Sequence, residues 1–247
     1  MKKQSFLLSF FLFLAFNLFA QNTERTIMLL NELRVSDTDI YKKNYPPIYN
    51  WSMKASASMP VQRAAHVSES GLIYNCTFIK GDKNFGQYVA TMNDMNIKIR
   101  KELKEVKENS DMTTQAVLRS AWVQVEKLNI KQEAYKLEDY DFRRIEIFTV
   151  PSNKIEEFEA LVEKRNKVDK AMDLRKYNYI VYKAIYGYPV NTYLVFVPEK
   201  SKLDFYKFQD ERNAIRKNNK EYVEIEKKRT QLKTTIRIDH LSRIPNQ

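Results

Sequence analysis

The chain has 247 residues, one cysteine and four glycines, and 42 Lys plus Arg against 31 Asp plus Glu give it a net charge of +11. That length is one large domain or two small ones. Its charges alternate in sign, as in "KEYVEIEKKRTQLK", and form no clustered footprint, which excludes nucleic acid as a partner; the single Cys76 excludes an intramolecular disulfide.

The first residues read "MKKQSFLLSFFLFLAFNLFAQ". Two lysines, an apolar run and the small Ala20 predict an export signal over residues 1–20. The run is about 14 residues, too short for a full membrane crossing. A periplasmic or secreted protein with no stable membrane span after signal cleavage is expected. No cysteine lies near the break to carry a lipid.

"TIMLLNELRV" reads as a strand. "DTDIYKKNYPPIYNWSMKAS" comes next as a helical segment capped by Asp37 or Asp39, which Pro46 and Pro47 should disturb. "GLIYNCTFIKGDKNFGQYVATM", residues 71–92, reads as a hairpin. Its first strand ends at Gly81 and its second begins near Tyr88. Cys76 sits inside the apolar run "LIYNCTF" and reads as a small buried hydrophobe. A long polar helix is predicted over about 93–118. "VQVEKLN" at 123–129 then alternates apolar and polar residues as a half-buried strand does.

The same order recurs. "RRIEIFTVPSNKIEEFEALVEKRNKVDKAM" predicts a strand closed by Pro151 and Ser152, with Arg143 and Arg144 at its start. Ile155, Phe158, Leu161, Val162, Val168 and Met172 then mark an amphipathic helix. "YNYIVYKAIYGYPVNTYLVFVPEKS", residues 177–201, is an aromatic hairpin turning at Gly187. A helical stretch from 201 to 231, capped by Ser201 or Asp204, should break into two. "IRIDHLS" at 236–242 is the last strand. Matching Gly81 with Gly187, Tyr88 with Tyr193 and 123–129 with 236–242 gives a repeat of about 106–113 residues. The chain therefore reads as two α+β units, 21–134 and 135–247, each with the order strand, helix, strand, strand, helix, strand. Two helices cover one face of each small sheet. The other face must meet its twin, because burying each large apolar side chain contributes about 1.5–3 kcal/mol.

On "RRIEIFTVPSNKIEEFEALVEK" and "TYLVFVPEKSKLDF", the chain resembles tandem ferredoxin-like proteins of the dimeric α+β barrel superfamily. That group includes antibiotic-biosynthesis monooxygenase-like proteins and haem-degrading monooxygenases. Its signal and its Lys, Asn and Phe content resemble exported Bacteroidetes-like proteins. The resemblance implies two βαββαβ units packed sheet to sheet as an intrachain barrel. Haem-degrading members use a histidine ligand with nearby Asn and Trp. Here the only histidines are His66 and His240, neither at a matching position, so no cofactor and no metal site is expected.

Few residues stand out chemically. His240 is a ligand or base candidate if its strand face points inward; otherwise it is an exposed or hydrogen-bonded strand histidine. Tyr182 and Tyr193 line a ligand cleft or simply pack. Lys183, a charge within an apolar strand, marks an edge strand or binds an anion. Glu156, Glu157 and Glu159 read as a solvated helix face. No nucleophile triad, phosphate loop or metal motif is present. The expected function is non-catalytic binding of a small apolar ligand or an envelope protein. Alternatives are a barrel-type monooxygenase-like enzyme with an inter-sheet site at His240, and an interaction protein using its long charged helices.

Overall fold

The computed structural model describes residues 25–132, 135–172 and 174–245; the expected signal lies outside them. The first unit contains β1 (Thr26–Val35), α1 (Thr38–Ala55), β2 (Val61–Ser68), β3 (Leu72–Lys80), α2 (Asp82–Glu102), α3 (Lys104–Thr113) and β4 (Thr114–Gln124). The second contains β5 (Phe142–Thr149), α4 (Ile155–Ala171), β6 (Ile180–Tyr186), β7 (Thr192–Glu199), α5 (Lys202–Arg216), α6 (Lys220–Gln231) and β8 (Thr234–Ile244). Among the described residues no helix is long and apolar enough to cross a membrane.

The strands close into one barrel in the order β1-β3-β2-β8-β5-β7-β6-β4. Each unit contributes four adjacent antiparallel strands with its first strand central. The two sheets face each other and also join at both edges, β2 to β8 and β4 to β6. These seams are equivalent: in each, the second strand of one unit pairs with the last strand of the other. Closure removes every sheet edge.

Alternation along the strands makes two kinds of core. Met28, Leu30, Phe78, Trp122, Ile145, Ile147, Tyr182 and Phe196 fill the barrel interior. On the outside, Phe158 and Val162 of α4 cover Phe148, Tyr193 and Val195. Phe85 and Tyr88 of α2 cover Ile27, Val61 and Ile79. Tyr41 and Tyr45 of α1 cover Ala65, Ile73 and Ile244.

The first unit departs from the sequence reading in three places. Its hairpin is β2–β3, turning at Gly71 (φ 82°), so Gly71 and not Gly81 corresponds to Gly187. Gly81 (φ 88°) instead ends β3 and leads into α2, which carries Tyr88. Phe85, Tyr88 and Ile99 lie on the buried face of that helix, a helical period overridden by the matched glycines. The strand expected at 123–129 ends at Gln124, and Lys127 lies in a 3-10 turn, so it is not the counterpart of His240. Third, α1 runs unbroken through Pro46 and Pro47. The carbonyls that lose their donors belong to Lys42 and Lys43, both exposed residues, while Tyr41 and Tyr45 anchor the helix on the sheet.

Both long helical stretches break, at Leu103 and at Lys217–Asn219. Of the alternative caps, Asp37 accepts from the amides of Asp39 and Ile40, and Ser201 from that of Asp204. After β4 the chain crosses to the second unit, where Ile130 bridges to Tyr179 and Leu128 packs beside Phe148.

Candidate functional site

The chemistry-bearing side chains gather inside the barrel. The inward phase of β8 presents Arg237 and Asp239, that of β1 presents Glu32, and that of β3 presents Tyr74. Glu32, 1% exposed, accepts from Arg237 Nη2 at 2.7 Å and from the Tyr188 hydroxyl at 3.1 Å. Asp239 pairs with Arg237 at 3.1 Å and accepts from the Tyr74 hydroxyl. The Arg237 guanidinium lies over the Tyr74 ring, and Trp122 packs on Tyr188 at 5.0 Å. Two carboxylates thus share one arginine and two phenols. Burial, together with Glu32, pushes the Tyr188 hydroxyl up to about 12. Burial and the hydrogen bond to Asp239 raise that of Tyr74 further. Both stay protonated at neutral pH and act as donors.

Farther along the same interior, Arg143 is 2% exposed and reaches His66 Nε2. Its Nη2 donates to the Leu137 carbonyl at 2.8 Å. Leu137 and Tyr135, from the segment joining the two units, pack on the interior cluster here. Burial and the neighbouring Arg143 drive the His66 imidazole well below its ordinary value, so it is neutral. Burial pushes the nearby Cys76 thiol up to about 12, which keeps it from being a thiolate.

The residues singled out from sequence do not converge. Tyr182 is interior, packed against Phe78 and Phe196 at 6.4 and 5.7 Å. Tyr193 and Lys183 lie on the opposite, outer face beneath α4. There the Tyr193 hydroxyl donates to Glu159 at 2.6 Å, while Lys127 and Lys183 stand 2.9 and 3.5 Å from the same carboxylate. Lys183 is therefore not on an edge strand, because β6 is paired on both sides. Nor does Glu159 belong to the solvated face, because its side chain turns to the sheet and is 14% exposed. His240 is also on the outer face. It stacks on Phe142, with Nε2 3.3 Å from the Tyr206 hydroxyl and Nδ1 3.5 Å from Glu69. Arg143, expected at a strand start, is there but points inward.

Sequence reasoning missed Glu32, Tyr74, Arg143, Arg237 and Asp239. The signal was available: Arg237 and Asp239 alternate with Ile236 and Ile238. It is the isoleucines that are exposed, at 51% and 46%. Two clefts, of about 600 and 310 Å³, flank the turn between β7 and α5, and Lys200 lines both.

No protein-family model matches the sequence, and no curated protein does. Solved structures do match the fold. A candidate monooxygenase from Lactobacillus acidophilus superposes with a TM-score of 0.57 at 13% identity, covering 90% of this chain and 95% of its own. One from Fusobacterium nucleatum gives 0.60 at 11%, covering 90% and 93%. A candidate chlorite dismutase gives 0.56 at 6%, covering 90% and 96%. At such identities the likeness is one of fold. A haem of the kind used by the haem-degrading monooxygenases that the sequence resembles does not suit the residues present. His66 is pressed against Arg143 in a filled interior, and His240 is held among Phe142, Tyr206 and Glu69. Among the described residues no three His, Cys, Asp or Glu side chains are grouped as a metal site. The chain has the fold of a tandem dimeric α+β barrel, two ferredoxin-like units of one polypeptide closed into a single eight-stranded wall.

Proposed function

We propose that this chain is an exported, non-catalytic binding protein that engages a small ligand or an envelope partner from the outside of its barrel. The observation that carries this reading is the state of the interior. Trp122, Tyr182, Phe196 and their neighbours fill it, and its acids are already paired with Arg237. An apolar ligand between the sheets would have to displace that packing, at about 2–5 kcal/mol for each large side chain moved out of place. A monooxygenase-like reaction at His240 is less well supported, because that residue faces away from the interior. Export rests on the character of residues 1–20.

The test is native mass spectrometry and absorption spectroscopy of protein purified from its own envelope fraction. The expected result is a polypeptide shortened by its signal, a retained small molecule or partner, and no haem or flavin band. A stoichiometric haem or flavin band would overturn the proposal.

A further inference from the structure

The smaller cleft, about 310 Å³, lies between the segment 175–178 and the end of β7. Among the described residues, Arg175, Lys176 and Lys200 line it with one carboxylate, Glu199, and with Tyr140 and Tyr177. Among the described residues, no ion pair engages any of the three cations. The Arg175 guanidinium lies over the Phe208 ring, 3.0 Å from its centroid. The Glu199 carboxylate accepts from the Lys200 amide at 3.2 Å, so it is held at the backbone.

A second, independent feature stands behind the wall. Arg212 is 3% exposed, stacks 4.7 Å from the Tyr177 ring, and has no hydrogen-bond partner for Nε or Nη1. Two acids lie near it, Glu199 and Asp169. Asp169 is held by Arg216 at 2.9 and 2.6 Å and by the Tyr177 hydroxyl. Burial and the adjacent Arg216 push Arg212 below its ordinary value, against the opposing pull of Tyr177, Glu199 and Asp169. A buried guanidinium with unused donors is costly. A negative charge in the cleft, which Tyr177 also borders, would act on Arg212 through space and not by hydrogen bond.

We propose that this cleft binds a small phosphorylated molecule, with Arg175, Lys176 and Lys200 holding the phosphate and Tyr140 and Tyr177 flanking the organic part. Among the described residues the lining carries three cations and one carboxylate, a balance that suits a phosphate dianion better than a single carboxylate. A planar fork beside two mobile ammonium groups suits a tetrahedral oxyanion. The volume sits at the small end of ligand sites. The inference rests on the binding reading above and names the ligand class.

Isothermal titration of the purified protein with phenyl phosphate, inorganic phosphate and benzoate tests it. Saturable one-to-one binding of phenyl phosphate is expected, tighter than that of inorganic phosphate, with benzoate weakest. Affinity should fall about ten-fold in Arg175→Ala and in Lys176→Ala, and should fall with added salt. Both residues are surface-lining, and circular dichroism checks that the variants fold. No saturable phosphate binding, equal binding of benzoate, or binding unchanged in both variants would overturn the inference. Such a failure leaves the binding reading intact, since that reading falls only to a retained redox cofactor.

Discussion

Arg237, on the last strand, donates to Glu32, on the first, across 205 residues of chain and 2.7 Å of space. β1 and β8 are not neighbours in the barrel, so the bond crosses the interior from one unit to the other. Tyr74 and Asp239 make a second crossing. These contacts fix how the two sheets face each other, which apolar packing alone specifies less sharply.

Removing one partner should therefore cost more than removing both. Glu32→Ala leaves Arg237 with Asp239 as its one remaining acid and should lower stability by about 3 kcal/mol, toward the low end for buried pairs because Arg237 stays 27% exposed. Glu32→Leu combined with Arg237→Leu should recover part of that loss. Urea denaturation of the single and double variants measures both. A loss in the double variant equal to the sum of the two single losses would show that the pair is not coupled.

Two glycines with similar backbone angles should respond differently. A Cβ on Gly187 (φ +85°) would fall 2.5 Å from the Arg119 carbonyl oxygen and 2.7 Å from the Ser120 Cβ, at the β4–β6 seam. A Cβ on Gly71 (φ +82°) would meet nothing within 4 Å. Gly71→Ala should cost only the backbone penalty, about 1–2 kcal/mol. Gly187→Ala should cost clearly more, because strand pairing must also shift. Thermal unfolding of the two variants makes the comparison.

His66 makes stability depend on pH. The folded imidazole titrates well below 6.5, whereas the unfolded one titrates near it. The contribution is complete above 6.5. As pH falls through that value the unfolded chain takes up a proton that the folded chain refuses, and stability drops by up to about 1.4 kcal/mol per pH unit. His66→Asn should flatten the profile of unfolding free energy between pH 6.5 and 5, whatever its effect at pH 8. An unchanged slope would place the titrating group elsewhere.

A carboxylate adds a separate window at lower pH. Burial opposes ionisation of Glu159, yet Tyr193, Lys127 and Lys183 hold its carboxyl below 4.5. Its stabilisation is present above that value and is lost as pH falls further, through the folded pKa. Glu159→Gln should reduce the acid-induced loss below about pH 4.5 and leave the His66 region unchanged. Equilibrium denaturation from pH 5 to 3 reads the difference.

Cys76 is fully buried with its thiol pushed up to about 12. It should not react with a thiol reagent in the native protein and should react completely in denaturant. Rapid native labelling would mean that the interior opens readily.

The second unit was largely legible from sequence. Its strand, helix, hairpin, helix, strand order comes from alternation in "RRIEIFTV", helical spacing in "EEFEALV" and the apolar run "NTYLVFV", which is buried on both faces of β7. The first unit was legible in kind but not in register, because a glycine can end a strand before a helix as readily as it turns a hairpin. Gly81 leads into a helix and Gly71 into a strand, and neither glycine by itself distinguishes the two. The interior site was hidden for a further reason. A period of two in "IRIDHL" states that one face differs from the other; it does not state which is inside. That choice was made by Glu32 and Tyr74, more than 160 residues away, whose hydrogen bonds let Arg237 and Asp239 turn inward and leave Ile236 and Ile238 to solvent. Local pattern determined the elements and their repetition. Only closure of the barrel brought together the partners that allow charge to be buried.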